Sequence, residues 1–185
     1  LASASAEHGG LLAFGAGLGG AAMDGAVLHA VNHSLVKAAL FLVAGNLLAA
    51  YRSKNIDRVA GAVRCVPASG WLWLAGLIAI SGTPPFGTFI SEFTLLKAAF
   101  GHGHGLGAGV ALLALTVAFI GMSRAFLGMS LGRGPAGLAP AREAPAAVWP
   151  ALALLLISLG LGLWIPQGLQ AVLAQAGPVL GGGAP

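Results

Sequence analysis

The sequence predicts an all-α polytopic membrane protein, because it is very apolar and its charges are unevenly spread. Of its 185 residues, 57% are hydrophobic and only 8% are charged, whereas a typical soluble domain has about 25% charged residues. The charged residues leave uncharged stretches at residues 25–36, 65–91, 98–123 and from 144 to the end. Since a bilayer span needs about 20 mostly apolar residues, several of these stretches are suited to crossing a membrane.

The composition also excludes several kinds of partner and cofactor. The net charge of +4 does not indicate nucleic-acid binding, because the nine basic residues form no stripe with interleaved aromatics. The single cysteine, Cys65, excludes an internal disulfide, a Cys-rich metal site and an iron–sulfur centre held by this chain alone. We therefore expect a lipid bilayer as the surroundings, and no cofactor, metal or nucleic acid. Because the chain starts at Leu1 without an initiator Met, we expect it to be a fragment.

Five membrane spans are predicted within a single transmembrane domain covering residues 1–185. Their approximate limits are residues 6–20, 25–51, 69–100, 106–127 and 147–165. Basic residues follow the second and fourth spans, so both of these ends are expected on the cytoplasmic side. The glycines at residues 15–20 satisfy the dinucleotide-binding pattern by letters only, since no strand and no downstream acid accompany them. Glycines that let helices pack closely are the better interpretation.

The third predicted span is too long to be one straight helix. Its 32 residues would extend roughly 48 Å at 1.5 Å per residue, beyond a hydrocarbon core of about 30 Å. Its centre reads Ser81-Gly-Thr-Pro-Pro-Phe-Gly87, and two prolines interrupt the helical hydrogen bonds. This predicts two half-helices joined near residues 82–87 at the midplane, as at transporter ion sites. The alternative is two ordinary helices joined by a surface or re-entrant turn.

The second span carries three ionisable groups at four-residue intervals, His29, His33 and Lys37. Four residues advance about 400°, so the three side chains share one helix face. Lys37 is near the centre of the span, where a charge costs at least about 2.5–3.5 kcal/mol. A lysine with two histidines above it predicts a row of groups that exchange protons. The alternatives are hydrogen-bonded structural histidines, a structural ion pair at Lys37, or a zinc or haem ligand pair, which the adjacent lysine disfavours.

A second signal is the carboxylate of Glu92, seven residues after the Pro-Pro break and still within the predicted span. A buried acid at membrane depth is a functional-site hypothesis by default. Glu7 and His8 are further candidates in the first segment, although their depth cannot be read from the sequence.

Two segments carry a family resemblance: Leu28-His-Ala-Val-Asn-His-Ser-Leu-Val-Lys-Ala-Ala-Leu-Phe-Leu-Val-Ala-Gly-Asn46 and Gly82-Thr-Pro-Pro-Phe-Gly-Thr-Phe-Ile-Ser-Glu-Phe-Thr-Leu-Leu96. They resemble the antiporter-like membrane subunits of NADH:quinone oxidoreductase (complex I), membrane-bound hydrogenases and multisubunit Na⁺/H⁺ antiporters. They are most similar to the hydrogenase-4 or formate hydrogenlyase branch, and within it to the membrane component F. Ala6-Glu-His-Gly9 is similar to the end of that branch's Ser-Ser-x-Glu-His-Met-Gly segment, with Gly10 where an aliphatic residue is usual. The resemblance covers about residues 7–100.

The resemblance implies a fold and a set of roles. The fold would be the second half of an inverted-repeat helical bundle with a discontinuous transmembrane helix. Lys37 would be the central lysine of a half-channel, His29 and His33 its relays, and Glu92 the group that hands protons to the outer side.

The resemblance also implies a setting for the chain. It would be a proton-translocating subunit without a redox centre of its own, in a hydrogenase-4- or NADH:quinone oxidoreductase-type complex of the bacterial inner membrane. Other membrane and peripheral subunits would be its partners. The alternatives are a cation/H⁺ antiporter subunit, a passive membrane anchor and a bis-His haem protein.

Overall fold

The computed structural model describes residues 2–133 and 142–180, without the side chains of residues 2–7, 21, 174 and 176–180. Within these residues all regular secondary structure is helical, which confirms the predicted all-α class. The helices are α1 (Ala2–Leu18), α2 (Gly20–Tyr51), α3 (Ala62–Cys65), α4 (Pro67–Ile80), α5 (Gly87–Gly101), α6 (Gly105–Leu131), α7 (Pro145–Leu163) and α8 (Gln167–Leu180), with a 3-10 turn at Ile56–Arg58.

Three of the described helices are long and apolar enough to cross a membrane. They are Ala22–Tyr51 within α2, Gly105–Leu131 and Pro145–Leu163. Helix α4 is equally apolar but has only 14 residues. It is one of the two shorter helices on either side of the Pro-Pro segment.

Helix α2 is the central element, in contact with α1, α4, α5, α7 and α8. Its buried aliphatic side chains form the main core with α4, α6 and α7, where the rings of Trp73 and Phe126 stack with centroids 4.3 Å apart. A second, smaller core joins α1, α2 and α5 around Leu11, Met23, Ala26 and Leu95. Because α2 touches five other helices, polar groups on its buried faces lie inside the bundle.

Small residues set the distance between α2 and its neighbours. A Cβ added to Gly25 would lie 3.0 Å from the backbone nitrogen of Leu95, and one added to Gly15 would lie 2.8 Å from the Cβ of Ala26. Gly15 is therefore a helix-packing glycine, as predicted. Gly19 and Gly20 differ, because their positive φ angles of 69° and 51° form the junction between α1 and α2. Such left-handed backbone is the conformation that favours glycine.

The Pro-Pro segment separates two helices, as both the predicted break at the midplane and its alternative, a surface or re-entrant turn, require. Helix α4 ends at Ile80 and α5 begins at Gly87, and the Pro84–Pro85 peptide bond between them is cis. Helix α7 covers this segment: a Cβ added to Gly162 would collide with the carbonyl oxygen of Pro85 and reach the backbone of Gly87 at 2.7 Å. Gly162 of α7 thus packs directly against the backbone at Pro85 and Gly87, whereas the side chains of Thr83, Pro84 and Pro85 are exposed. The location of the break at the membrane midplane stays a prediction.

The other end of α4 is capped by a carboxylate from a distant part of the chain. The backbone N–H of Ala68 donates to Glu143 Oε2 at 2.7 Å, and that of Ser69 donates to Oε1 at 3.0 Å. A negative charge here complements the positive end of the helix dipole. The amide of Asn46 donates to Ser69 Oγ at 3.0 Å and to the carbonyl of Ala147 at 2.9 Å. These hydrogen bonds hold α2, α4 and α7 together, and no sequence pattern indicates them.

Candidate functional site

Three histidines converge between α1 and α2. The Nδ1 atom of His8 lies 2.8 Å from Nε2 of His29. The ring centroid of His33 is 4.1 Å from that of His8 and 6.0 Å from that of His29. His8 and His29 are fully buried, and His33 is half-buried. The imidazoles therefore form one contiguous cluster inside the bundle.

The hairpin of α1 and α2 explains why His8 meets His29. His8 lies eleven residues before Gly19 and His29 lies ten residues after it. In two antiparallel helices joined by a tight turn, positions equally far from the turn come to lie side by side. His8, whose position relative to the second span could not be read from the sequence, thus lies at the same level of the α1–α2 hairpin as His29. The side chain of its neighbour Glu7 lies outside the described residues.

A buried hydroxyl links the histidines to α5. Nδ1 of His29 lies 3.0 Å from Oγ of Ser91, and the Ser91 hydroxyl donates to the carbonyl of Thr88 at 2.8 Å. Ser91 is fully buried and directly precedes Glu92 in the chain. Sequence reasoning missed Ser91, because a serine in a helix carries no signal until its contact across 62 residues is known.

Lys37 continues the row one helical turn beyond His33. Its Nζ atom is buried although its aliphatic part is partly exposed. Within residues 2–133 and 142–180, Lys37 Nζ, His33 Nδ1 and His8 Nε2 make no hydrogen bond. Buried polar atoms of this kind are normally satisfied by a partner or an ordered water. The row therefore offers three positions where a water or a neighbouring helix would bond.

Glu92 is buried with 7% of its surface exposed, on the second turn of α5. Its carboxylate lies over Gly82, so that a Cβ there would be 2.6 Å from the carboxyl carbon. Gly82 has a φ of +62°, so glycine is favoured at this position for two independent reasons. The carboxylate of Glu92 on α5 thus contacts the non-helical segment that follows α4.

Asn32 fixes where α5 starts relative to the histidine row. Its amide donates to the Leu28 carbonyl at 3.1 Å, and a Cβ on Gly87 would collide with its side chain. The first residue of α5 therefore rests on the helix that carries His29 and His33. This contact and the bond from His29 to Ser91 set the register between the two helices.

The histidine cluster is the one place among the described residues where a metal could be considered. The ligand atoms of His8, His29 and His33 all lie within 4.8 Å of one another. Three imidazoles can hold zinc, but the adjacent Lys37 opposes a cation. The sequence expectation of no metal and no cofactor stays a prediction.

The first 121 residues of the chain match the family described as "NADH:quinone oxidoreductase/Mrp antiporter, TM". The match covers well over half of the sequence, and the chain belongs to this family. With its apolar helices it is a multi-pass membrane protein, and the resemblance drawn from the two sequence segments is confirmed.

Individual relatives fall into the three groups that the resemblance named. The chain is 38% identical over 116 residues to the hydrogenase-4 component F homolog of Methylacidiphilum infernorum, a match covering 62% of this chain and 24% of that protein. It is 33% identical over 179 residues to the L subunit of NADH-quinone oxidoreductase of Mycobacterium tuberculosis, a match covering 93% of this chain and 27% of that protein. It is 28% identical over 144 residues to the D subunit of the Na⁺/H⁺ antiporter of Bacillus subtilis, a match covering 77% of this chain and 29% of that protein.

A solved structure has the same fold. The Mrp complex from Dietzia sp. DQ12-45-1b contains a chain that matches with a TM-score of 0.70 and 25% identity, covering 88% of this chain and 38% of that one. The chain spans about a quarter of the length of these three curated relatives.

Proposed function

We propose that this chain is the proton-translocating part of a membrane subunit in a hydrogenase-4- or NADH:quinone oxidoreductase-type complex, located in a bacterial inner membrane. The observation that carries the proposal is the row of ionisable groups inside an apolar bundle. His8, His29 and His33 form one cluster, Lys37 follows on the same helix, and Ser91 joins the cluster to the helix of Glu92. Burying so many ionisable groups at membrane depth is costly and is typical of proton pathways.

The groups have the chemistry that proton transfer needs. A neutral imidazole has one N–H and one bare nitrogen, so it can accept a proton on one side and release another from the opposite side. A buried lysine or carboxylate changes its charge when a nearby charge or water changes. Lys37 stores a proton, His33, His8 and His29 relay it, and Glu92 releases it beyond the break. Conformational changes in adjoining subunits drive the charge change at Lys37.

Electron transfer belongs to partner subunits in this proposal. The only cysteine is Cys65, which is buried and unpaired, and this chain alone cannot hold an iron–sulfur cluster. The relatives are named as subunits or components of larger assemblies. We therefore expect both membrane and peripheral subunits around this chain.

A cation/H⁺ antiporter subunit is the second candidate, favoured by the relative from Bacillus subtilis and by the Mrp structure. Alkali cations are hard ions that prefer oxygen ligands, as Ca²⁺ and Mg²⁺ do. The described row consists of imidazole and ammonium nitrogens, and the buried oxygens beside it are those of Ser91, Glu92 and Asn32. Such a donor set suits protons better than Na⁺.

The proposal is tested in membrane vesicles from cells that make the protein with its native partner subunits. ΔpH formation is followed on addition of the electron donor, and the assembled complex is quantified. Lys37→Ala should abolish ΔpH formation in an assembled complex, whereas Lys97→Ala, at an exposed lysine of α5, should not. Normal pumping by assembled Lys37→Ala would refute the proposal. ΔpH formation that needs Na⁺ and no electron donor would favour the antiporter.

A further inference from the structure

We infer that the hydroxyl of Ser91 is a gate between the histidine row and Glu92, closed in this structure and opened by rotation of its single hydrogen. The inference rests on the proposed function and adds a residue to it. Ser91 passes or blocks a proton according to the direction in which its O–H points.

The direction follows from two distances. Oγ of Ser91 lies 2.8 Å from the carbonyl oxygen of Thr88 and 3.0 Å from Nδ1 of His29. A carbonyl oxygen can only accept, so the one hydroxyl hydrogen is donated to Thr88. The hydroxyl oxygen must then accept from His29, whose Nδ1 carries the hydrogen.

This assignment fixes the rest of the chain of hydrogen bonds. A neutral His29 with its hydrogen on Nδ1 has a bare Nε2, and that atom lies 2.8 Å from Nδ1 of His8. Nδ1 of His8 must therefore donate. The remaining nitrogen of His8, Nε2, is bare and buried and makes no hydrogen bond within the described part of the chain as it stands, while the backbone carbonyl of Ile80 lies close enough to the His8 ring to accept from it once a second proton arrives. All three hydrogen bonds thus point the same way, from His8 towards Thr88.

The row of hydrogen bonds as it stands cannot conduct. A proton arriving at Nε2 of His8 would displace the Nδ1 proton onto Nε2 of His29, and His29 would pass its own Nδ1 proton to Ser91. Ser91 would then have to release the hydrogen that it holds against Thr88. A backbone carbonyl engaged within a helix offers that proton no onward path.

Rotation of the O–H about the Cβ–Oγ bond removes the block. Ser91 and Glu92 are consecutive, so their side chains point about 100° apart on the helix, and a water molecule between them is the acceptor. One proton enters at His8 and one leaves from Ser91 to that water, which passes a proton to the Glu92 carboxylate. Each imidazole ends neutral with its hydrogen on the other nitrogen, so the count of protons balances.

The same helix provides a matched control. Thr94, one turn beyond, donates its hydroxyl to the carbonyl of Ile90 at 2.8 Å, as Ser91 does to Thr88. In the described part of the chain Thr94 makes no hydrogen bond to a histidine. Loss of its hydroxyl should therefore leave proton transfer unchanged.

The test uses the same vesicles with native partner subunits. Ser91→Thr and Ser91→Val have nearly the same shape, and only the first retains a hydroxyl. Each rate of ΔpH formation is normalised to the amount of assembled complex. Ser91→Ala and Ser91→Val should each lose about 10²-fold in rate, the lower range for a positioned acid–base group. Ser91→Thr should keep most of the rate, and Thr94→Ala all of it.

The outcomes separate this inference from the proposed function. Equal rates for Ser91→Thr and Ser91→Val, or a parental rate for Ser91→Ala, would overturn the gate. If both bulkier variants fail to assemble, the comparison of Ser91→Ala with the parent decides. If Lys37→Ala abolishes ΔpH formation while Ser91→Ala keeps the parental rate, the gate is refuted and the proposed function is retained. Normal pumping in Lys37→Ala removes the proposed function itself.

Discussion

The carboxylate of Glu92 lies over the Cα of Gly82, ten residues earlier in the chain and on the other side of the Pro-Pro break. The contact brings the ionisable group of α5 against the non-helical backbone that follows α4. It makes the break part of the environment of Glu92. Changes at Gly82 should therefore affect both the fold and proton release.

Gly82→Ala tests this relationship. Its φ of +62° costs a non-glycine residue about 1–2 kcal/mol, and the added Cβ would also push the Glu92 carboxylate away. Gly103→Ala is the control, because Gly103 has a φ of +81° and open space around its Cα. We expect both variants to lower the unfolding midpoint in detergent and only Gly82→Ala to lower proton transfer as well. Equal proton transfer in the two would show that the contact has no functional role.

Glu92 itself can be tested with an isosteric change. Glu92→Gln keeps the shape and much of the hydrogen bonding but cannot titrate, so we expect an assembled complex with strongly reduced ΔpH formation. Glu92→Asp should retain part of the rate, because it keeps an ionisable group at a shorter reach. A parental rate for the glutamine variant would mean that Glu92 only packs against the break.

Features that depend on local periodicity could be predicted from the sequence. Four-residue spacing placed His29 and Lys37 on one face of a long helix, and two adjacent prolines marked the break. The contacts of His8, Ser91 and Gly162 could not be predicted, although the sequence did single out His8 as a candidate, because each contact is with a distant part of the chain. The contact of His8 with His29 follows from the hairpin at the α1–α2 junction, which is visible only when both helix ends are known. The sequence around Gly162, a glycine in an apolar helix, does not indicate which backbone segment the residue contacts.

Gly162→Ala tests whether α7 must cover the break. The new Cβ would collide with the Pro85 carbonyl, and overpacking of this kind costs about 1–3 kcal/mol. Gly160, two residues earlier on α7, has nothing within 4 Å of an added Cβ. Gly160→Ala should therefore leave stability unchanged or raise it slightly, since alanine favours helix. The measurement is thermal unfolding of the purified complex, and equal midpoints for the two variants would show that α7 is free to move away from the break.

The histidine cluster yields a prediction about metal. Two nitrogens bound to one tetrahedral zinc at about 2.0–2.1 Å would be about 3.3–3.4 Å apart. His8 Nδ1 and His29 Nε2 are 2.8 Å apart, a hydrogen-bond distance. Lys37 also lies one helical turn beyond His33 and opposes a cation when it is protonated.

We therefore expect vesicles washed with a strong chelator to form ΔpH at the parental rate. Elemental analysis of the purified complex should give the same metal content for the parent and for His8→Ala, so that any metal present belongs to other subunits. Loss of one zinc per complex in His8→Ala, together with inactivation by the chelator, would assign a metal to this cluster and contradict the proton-relay role of its imidazoles. Protons and metal compete for the same nitrogen lone pairs, so the cluster cannot serve both at once.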